Sequence, residues 1–476
     1  MATTVETLDG PPVQLAEDHL EELRAQLRGT ALGPAERTDD THPPFNAMYP
    51  DAAAITVRCS GTADVVDAIA FARSHGMLVA VRGGGHSIAG LSSSRGGLLL
   101  DLGPMRGVVV DPERRLAYVQ GGALWGDVDR ETQRFGLATP GGVVSDTGVA
   151  GLTLGGGYGW LRRKYGLSSD NVVAMQVVLA DGRVVTASED QNPDLFWALR
   201  GGGGNFGVVT AFTFRLHPVG PEVGFSATFY PMEEVGEVLH GFRAAVEQMP
   251  DEVTATCVTI TFPANPEMPA AIHDRQAAII GGVYAGSDPA EGLQIMAPLR
   301  ELGTPLFDMS GPTPFVGVQS GFDPLFPRQQ LHAYWKSQYL EELSDAAIDV
   351  IAARAQDRPA PLTLVNTFHM GGAIGAVDPE ATAFSERTAQ YMISIDGMWP
   401  DESQTTRARD WVRATFDEVS RFGTGGVYLN FTGRDEELSA NVDSAFGRNL
   451  GRLAEIKAKY DPENFFRLNN NIAPAA

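Results

Sequence analysis

Apolar residues in this chain fall into short runs at two spacings, divided by polar turns. Residues 15–28 (LAEDHLEELRAQLR) repeat leucine at helical intervals and predict an amphipathic helix. A loop containing Pro, Asp and Thr follows to about Pro50. Around Val57 to Val81 the order is strand, helix, strand: ITVRCS, then ADVVDAIAFARSHG closed by Gly76, then MLVAVR. Apolar runs at 98–102, 107–111 and 116–120 predict strands, and 123–135 predicts a helix. VVAMQVVLADGRVVTAS predicts a hairpin, with Asp181-Gly182 as its tight turn. The helix DLFWALR and a strand from Gly207 to Leu216 follow, and mixed strands and helices then run from about Gly220 to Ala414. A long helix is expected from Glu436 to Tyr460.

Three dense glycine segments interrupt the first half: RGGGHSIAG, Gly141 to Gly159, and GGGGNFG. Each leaves or enters an expected strand, an arrangement that lets backbone N–H groups approach a phosphate or pyrophosphate. A P-loop needs Gly-Lys-Ser/Thr, and no lysine here follows a glycine. Gly202 to Gly207 satisfies G-x-G-x-x-G, but it follows a helix and opens a strand, the reverse of the dinucleotide-binding context. The match is accidental, and a nicotinamide Rossmann domain is disfavoured. Three such loops suit one large ligand lying across a single domain.

Composition narrows this further. With 476 residues, two or three domains are expected. The formal charge of −23 repels phosphate backbones and anionic lipid, so neither nucleic acid nor a membrane surface is an expected partner. Cys59 and Cys257 are two buried free thiols by expectation, and no metal site is expected. Met1 to Gly10 lacks a basic and apolar leader pattern, and a cytoplasmic protein is the default expectation.

The segments AVRGGGHSIAG, GVAGLTLGGGYGWLRRKYGLSSDNV, NPDLFWALRGGGGNFGVVTAF and YDPENFFRLNNNI together resemble the vanillyl-alcohol-oxidase/PCMH-type FAD enzymes, in particular their berberine-bridge-enzyme-like branch. The resemblance spans about Ala52 to Phe214 and the last fifty residues. It implies an α+β fold: a PCMH-type FAD domain of two α+β subdomains, and a substrate domain with an antiparallel sheet backed by helices. The implied division is 1–218 (its PCMH-type part about 50–218), 219–414, and 415–476 returning to the FAD domain.

By the same resemblance, Arg82, Gly83, Gly84, Gly85, His86 and Ser87 form the loop at the FAD pyrophosphate, with His86 bonded to the flavin 8α carbon. The bond requires a neutral imidazole near the dimethylbenzene edge. Many relatives add a second link from a cysteine in Cys-Pro-Thr-Val-Gly. Here that stretch is Val144-Ser145-Asp146-Thr147-Gly148, so a single histidyl link is implied. Further implied contacts are Thr147, Gly148, Val149, Gly151, Leu152, Thr153, Gly156, Gly157 and Tyr158 along flavin and pyrophosphate. Asp170, Asn171, Val208 and Val209 would lie toward the adenine or ribitol end, and Asn469 and Asn471 would close over the flavin.

The chemistry is expected from the flavin, with acid–base groups supplied by the protein. In Val427-Tyr428-Leu429-Asn430-Phe431, read as a strand, Tyr428 and Asn430 share a face. Tyr428 could act as base if a nearby cation lowered its pKa. Ser394 stands where relatives carry Gln or Glu, and Asp396 on the same face is a weaker stand-in. His332, Tyr334, Trp335, Lys336, Tyr339 and His369 are candidate pocket residues. The implied activity is an oxidase: hydride leaves a C–H beside O or N of a small secondary metabolite, sugar or cyclic amine, and O2 becomes H2O2. An oxygenase acting through a flavin–oxygen adduct, with Thr147 near the flavin, is the alternative; a flavin-binding scaffold without turnover is a third.

Overall fold

Runs that are apolar at nearly every position become strands buried on both faces. Ile55–Arg58, Leu98–Asp101 and Val79–Arg82 pair in parallel with Leu98–Asp101 central, and Thr30–Leu32 adds antiparallel at one edge. The helix Thr62–Ser74 makes the crossover and buries Val65, Ala68, Ile69 and Ala72. The computed structural model describes residues 3–37, 43–50, 52–262, 264, 269–434 and 438–476.

A second sheet is antiparallel, in the order Val184–Ser188, Val172–Val178, Val208–Arg215, Leu116–Gln120, Val108–Asp111. Its hairpin turns at Asp181-Gly182, where Gly182 has φ 84° and Val178 pairs with Val184. The expected helices are shorter than their patterns: Glu17–Gln26 for 15–28, and Trp125–Thr132 running into a 3-10 turn for 123–135.

The third sheet opens at Glu222. Its order is Phe307–Asp308, Glu222–Pro231, Gln276–Tyr284, Val253–Thr261, Leu364–His369, Tyr391–Trp399, His332–Leu340, with Gly311–Pro314 also on Glu222–Pro231. Every pairing in it is antiparallel. Successive side chains alternate between faces. Ala255, Cys257, Val365, Ile393 and Ile395 meet the helices Val235–Val246, Asp345–Gln356 and Thr405–Val419. Val258, Leu364, Trp335 and Met398 form part of the opposite face. Residue 414 lies inside the helix Thr405–Val419, whose Val412 and Val419 pack into that same sheet core.

Two expectations need correction. Leu429–Phe431 is a 3-10 turn following an extended Tyr428, so Val427 to Phe431 is no strand. The long terminal helix is two, Leu438–Phe446 and Leu450–Tyr460, parted by a 3-10 turn at Gly447, whose φ is 45°. Glu436, its expected start, lies outside the described residues. Cys59 and Cys257 are free and buried in different cores.

The second terminal helix packs Leu453, Ile456 and Tyr460 with Phe196, Trp197 and Phe206 of the second core. Beyond it, a fully buried ion pair ties the tail down. Lys457 Nζ donates to Asp461 Oδ2 at 2.6 Å, to the Asn205 carbonyl at 2.7 Å and to the Phe466 carbonyl at 3.1 Å. Asp461 in turn accepts the N–H groups of Phe465 and Phe466 at 2.8 and 2.9 Å. Removing one charge leaves the other buried without its partner, the costly case for such pairs. Asp461→Asn is expected to lower stability by about 3–5 kcal/mol. Urea unfolding of variant and parent checks this, and a loss below about 1 kcal/mol would contradict it.

Candidate active site

The glycine loops meet because their backbones must touch. A Cβ on Gly84 would lie 2.4 Å from Gly148 Cα, and one on Gly148 would lie 2.4 Å from Gly84 N. Gly83 stands 2.9 Å, in the same measure, from the carbonyl of Gly121. Only glycine fits such approaches. Together with Gly201 to Asn205 and Gly207, these loops form one side of a cavity of about 310 Å³. The opposite side is the face of the large sheet turned away from its helices, with the tail residues Phe466, Leu468, Asn469 and Asn470 also at the wall.

Of the residues singled out in the sequence, Gly83, Gly84, Gly85, His86, Ser87, Thr147, Gly148, Gly151, Leu152, Tyr158, Val208, Val209 and Asn469 line this cavity. So do Tyr428, Asn430 and Asp396. Arg82, Val149, Thr153, Gly156, Gly157, Asp170, Asn171 and Asn471 do not. Arg82 lies beneath the first loop, its Nε donating to the Ser92 carbonyl at 2.9 Å. Asp170 holds Arg387 through both oxygens at 2.7 and 2.9 Å, and Asn171 binds the carbonyls of Tyr165 and Leu167. These two acceptors and donors stabilise the turn after Tyr165 rather than face the cavity.

His86 is half-buried, and its ring stacks on Phe45 with centroids 4.6 Å apart and planes 6° from parallel. Among the described residues its Nε2 has no hydrogen-bond partner. Burial first, and then the charge of Arg328, push its pKa down to about 4, while Asp146 opposes the shift. The imidazole is therefore neutral near pH 7. An orphaned, neutral ring nitrogen at the edge of a glycine-walled cavity fits attachment of a flavin ring. Val144 lines the same cavity, and neither cysteine does.

On the sheet side, period-two alternation decides which side chains arrive. Leu364, Asn366 and Phe368 from one strand, Thr256 and Val258 from its neighbour, and Asp396 and Trp335 from the next two all face the cavity. Of the expected pocket cluster, Trp335 is the member that lines it. Tyr334 packs into the helix-side core, Lys336 Nζ sits 4.6 Å over the Phe416 ring, and His369 Nε2 meets Arg163 at 2.9 Å. Phe322 and Phe326 also line the cavity, unannounced by any motif, as do Trp160 and Arg162 of the second glycine segment's extension and Phe431, none of them singled out as site residues. Arg162 is fully buried and donates to the carbonyls of His369, Gly159 and Ala255.

Asp396 accepts from Asn366 Nδ2 at 2.6 Å and from Ser394 Oγ. Burial pushes its pKa up to about 7, and these two hydrogen bonds only partly oppose the shift. Tyr428 and Asn430 do come together, Asn430 Nδ2 donating to the phenol oxygen at 2.8 Å. The cation that a base role for Tyr428 requires is not among the described groups acting on it. Burial drives its pKa up, with the hydrogen bond from Asn430 opposing the shift in part. Tyr158, its ring tilted 32° to that of Tyr428 with centroids 4.5 Å apart, is pushed the same way.

Known proteins share this architecture. Residues 53–188 match the FAD binding domain family, and residues 427–473 match the family described as berberine and berberine like. YgaK of Bacillus subtilis, an uncharacterized FAD-linked oxidoreductase, is 32% identical over 90% of this chain and 92% of its own. The crystal structure of 6-hydroxy-D-nicotine oxidase from Arthrobacter nicotinovorans superposes with a TM-score of 0.83 at 25% identity, covering 94% of this chain and 98% of that one. A chitooligosaccharide oxidase shares the fold, with a TM-score of 0.84 at 22% identity over 96% of this chain and all of its own. With glycine loops, a half-buried histidine and a sheet carboxylate around one cavity, the chain belongs to the berberine-bridge-enzyme-like branch of the FAD-linked oxidoreductases.

Proposed function

We propose that this protein is an oxidase carrying FAD on His86 through a single covalent link, with Asp396 as its catalytic base. The carrying observation is that both groups line one cavity from opposite walls, one a neutral imidazole with a free nitrogen and the other a buried carboxylate titrating near pH 7. FAD, when bound, accepts hydride from the substrate and returns the electron pair to dioxygen as hydrogen peroxide. The chain's own residues hold and deprotonate the substrate. Asn366 and Ser394 orient the Asp396 carboxylate, which takes the O–H or N–H proton of the group being oxidised. Tyr428, kept protonated, remains available as a hydrogen-bond donor.

The substrate's character follows from the wall. Trp335, Phe326, Phe322, Phe368, Phe431, Val258 and Leu364 are apolar, and on the same sheet face polar atoms come from Asp396, Asn366 and Thr256. A buried hydroxyl without a partner costs free energy, and a sugar brings many of them. A small, largely apolar alcohol or amine that stacks on aromatic rings fits better. The aromatic wall therefore favours this class over the carbohydrates that some relatives oxidise.

Two measurements test this reading. After denaturation the polypeptide should stay yellow and be heavier by one FAD, and His86→Ala should release all flavin to the supernatant; a colourless parent polypeptide would sink the link. Asp396→Asn should lower kcat/KM by roughly 10²–10⁴-fold. In the parent, kcat/KM should rise with pH as Asp396 ionises through about 7 and level off above, because only the carboxylate accepts a proton. A profile flat from pH 5 to 9 would remove Asp396 from this role.

A further inference from the structure

The segment Pro43 to Asn46 lies between the His86 loop and the start of the strand His332–Leu340. The Phe45 N–H donates to the Gly85 carbonyl at 2.8 Å, and the Phe45 carbonyl accepts the Gln329 N–H at 2.9 Å. Asn46, fully buried, closes both sides at once. Its Nδ2 donates to the Ile88 and Ala333 carbonyls, each at 2.7 Å, and its Oδ1 accepts the Ala333 N–H at 3.0 Å. Arg328 adds a clasp, with Nη1 on the Pro43 carbonyl at 3.0 Å, Nε on Asp146 Oδ2 at 2.6 Å and Nη2 on the Asp146 carbonyl at 2.8 Å.

Phe45 is fully buried and its ring covers one face of the His86 imidazole. The same ring lies 6.2 Å from Phe326 and 6.4 Å from Trp335 between centroids, so it also backs the aromatic wall. A flat ring held against an imidazole removes its freedom to turn about its last torsion, and so fixes the plane in which His86 lines the cavity.

We propose that Pro43 to Asn46 is a positioning strap whose Phe45 ring sets the plane of His86 for attachment of the flavin. The inference rests on the histidyl link proposed above. In the overall reaction His86 gives up its ring N–H proton and forms one N–C bond to the 8α carbon, in place of one C–H bond of that methyl group. The two protons and two electrons released in all pass to dioxygen, giving hydrogen peroxide. Phe45 takes no part in bond making; it fixes the angle at which the ring nitrogen meets the carbon.

The test follows attachment rather than turnover. Full-length parent, Phe45→Leu and His86→Ala are mixed with FAD, and covalent flavin per bound flavin is read over time by in-gel fluorescence and intact mass. Phe45→Leu should still bind FAD but attach it about tenfold more slowly, the scale of a lost ring–ring contact. Attachment at the parental rate overturns the strap. If Phe45→Leu does not fold, Arg328→Gln decides, since it frees Pro43 from a part-exposed side chain and should slow attachment likewise. Folded variants that bind no flavin at all also count against it, because the segment would then shape the pocket rather than the imidazole. Covalent flavin persisting in His86→Ala overturns the underlying link instead, and so separates the two failures.

Discussion

The main chains of Gly84 and Gly148 pass so close that a methyl group on either would clash with the other's backbone. That approach locks the loop after the strand Val79–Arg82 to the loop before the helix Val149–Leu154. The second loop is itself fastened to the first turn of another helix, through Trp125 N–H to the Thr147 carbonyl and Gly126 N–H to the Ser145 carbonyl. His86 on one side and Val144 and Thr147 on the other inherit their places from this contact. A cavity wall built of touching backbone can come close to a ligand along its length, which side chains on either loop would prevent.

Much of this could be read from the chain. Local signals sufficed wherever an element is specified by its own residues: the parallel strands by unbroken apolar runs, the hairpin by Asp181-Gly182, the first two glycine loops by their density. Val427 to Phe431 failed because its alternation of apolar and polar residues is equally compatible with an extended residue followed by a tight turn. Period-two reasoning still paired Tyr428 with Asn430, for a different geometric reason. Asp170 and Asn171 carry no local mark of the Arg387 and carbonyl partners that engage them, since Arg387 lies more than two hundred residues away. Phe322, Phe326 and Phe431 likewise reach the cavity only through tertiary packing.

The opposite protonation behaviour of Tyr428 and Asp396 has one cause. Burial disfavours charge on both, but the two acids start from opposite sides of neutrality. Desolvation pushes a phenol further from physiological titration and brings a carboxylate into it. The sheet therefore presents, within one apolar wall, one group fixed as a neutral donor and one able to change charge. No adjacent cation is needed for either assignment. The hydrogen bonds from Asn366 and Ser394 limit the upward shift of Asp396 and keep it from remaining permanently protonated.

The tail closes the cavity from the far end of the polypeptide. Phe466, Leu468, Asn469 and Asn470 stand at the wall, anchored by the buried pair of Lys457 and Asp461, while Phe45 lies behind His86 from near the other end. The cradle is thus a joint between segments far apart in sequence, and its wall is complete only when both have packed against the glycine loops. A ligand held there would bridge the two, so that its retention reports on the docking of the segment around Phe466 as much as on the loops themselves.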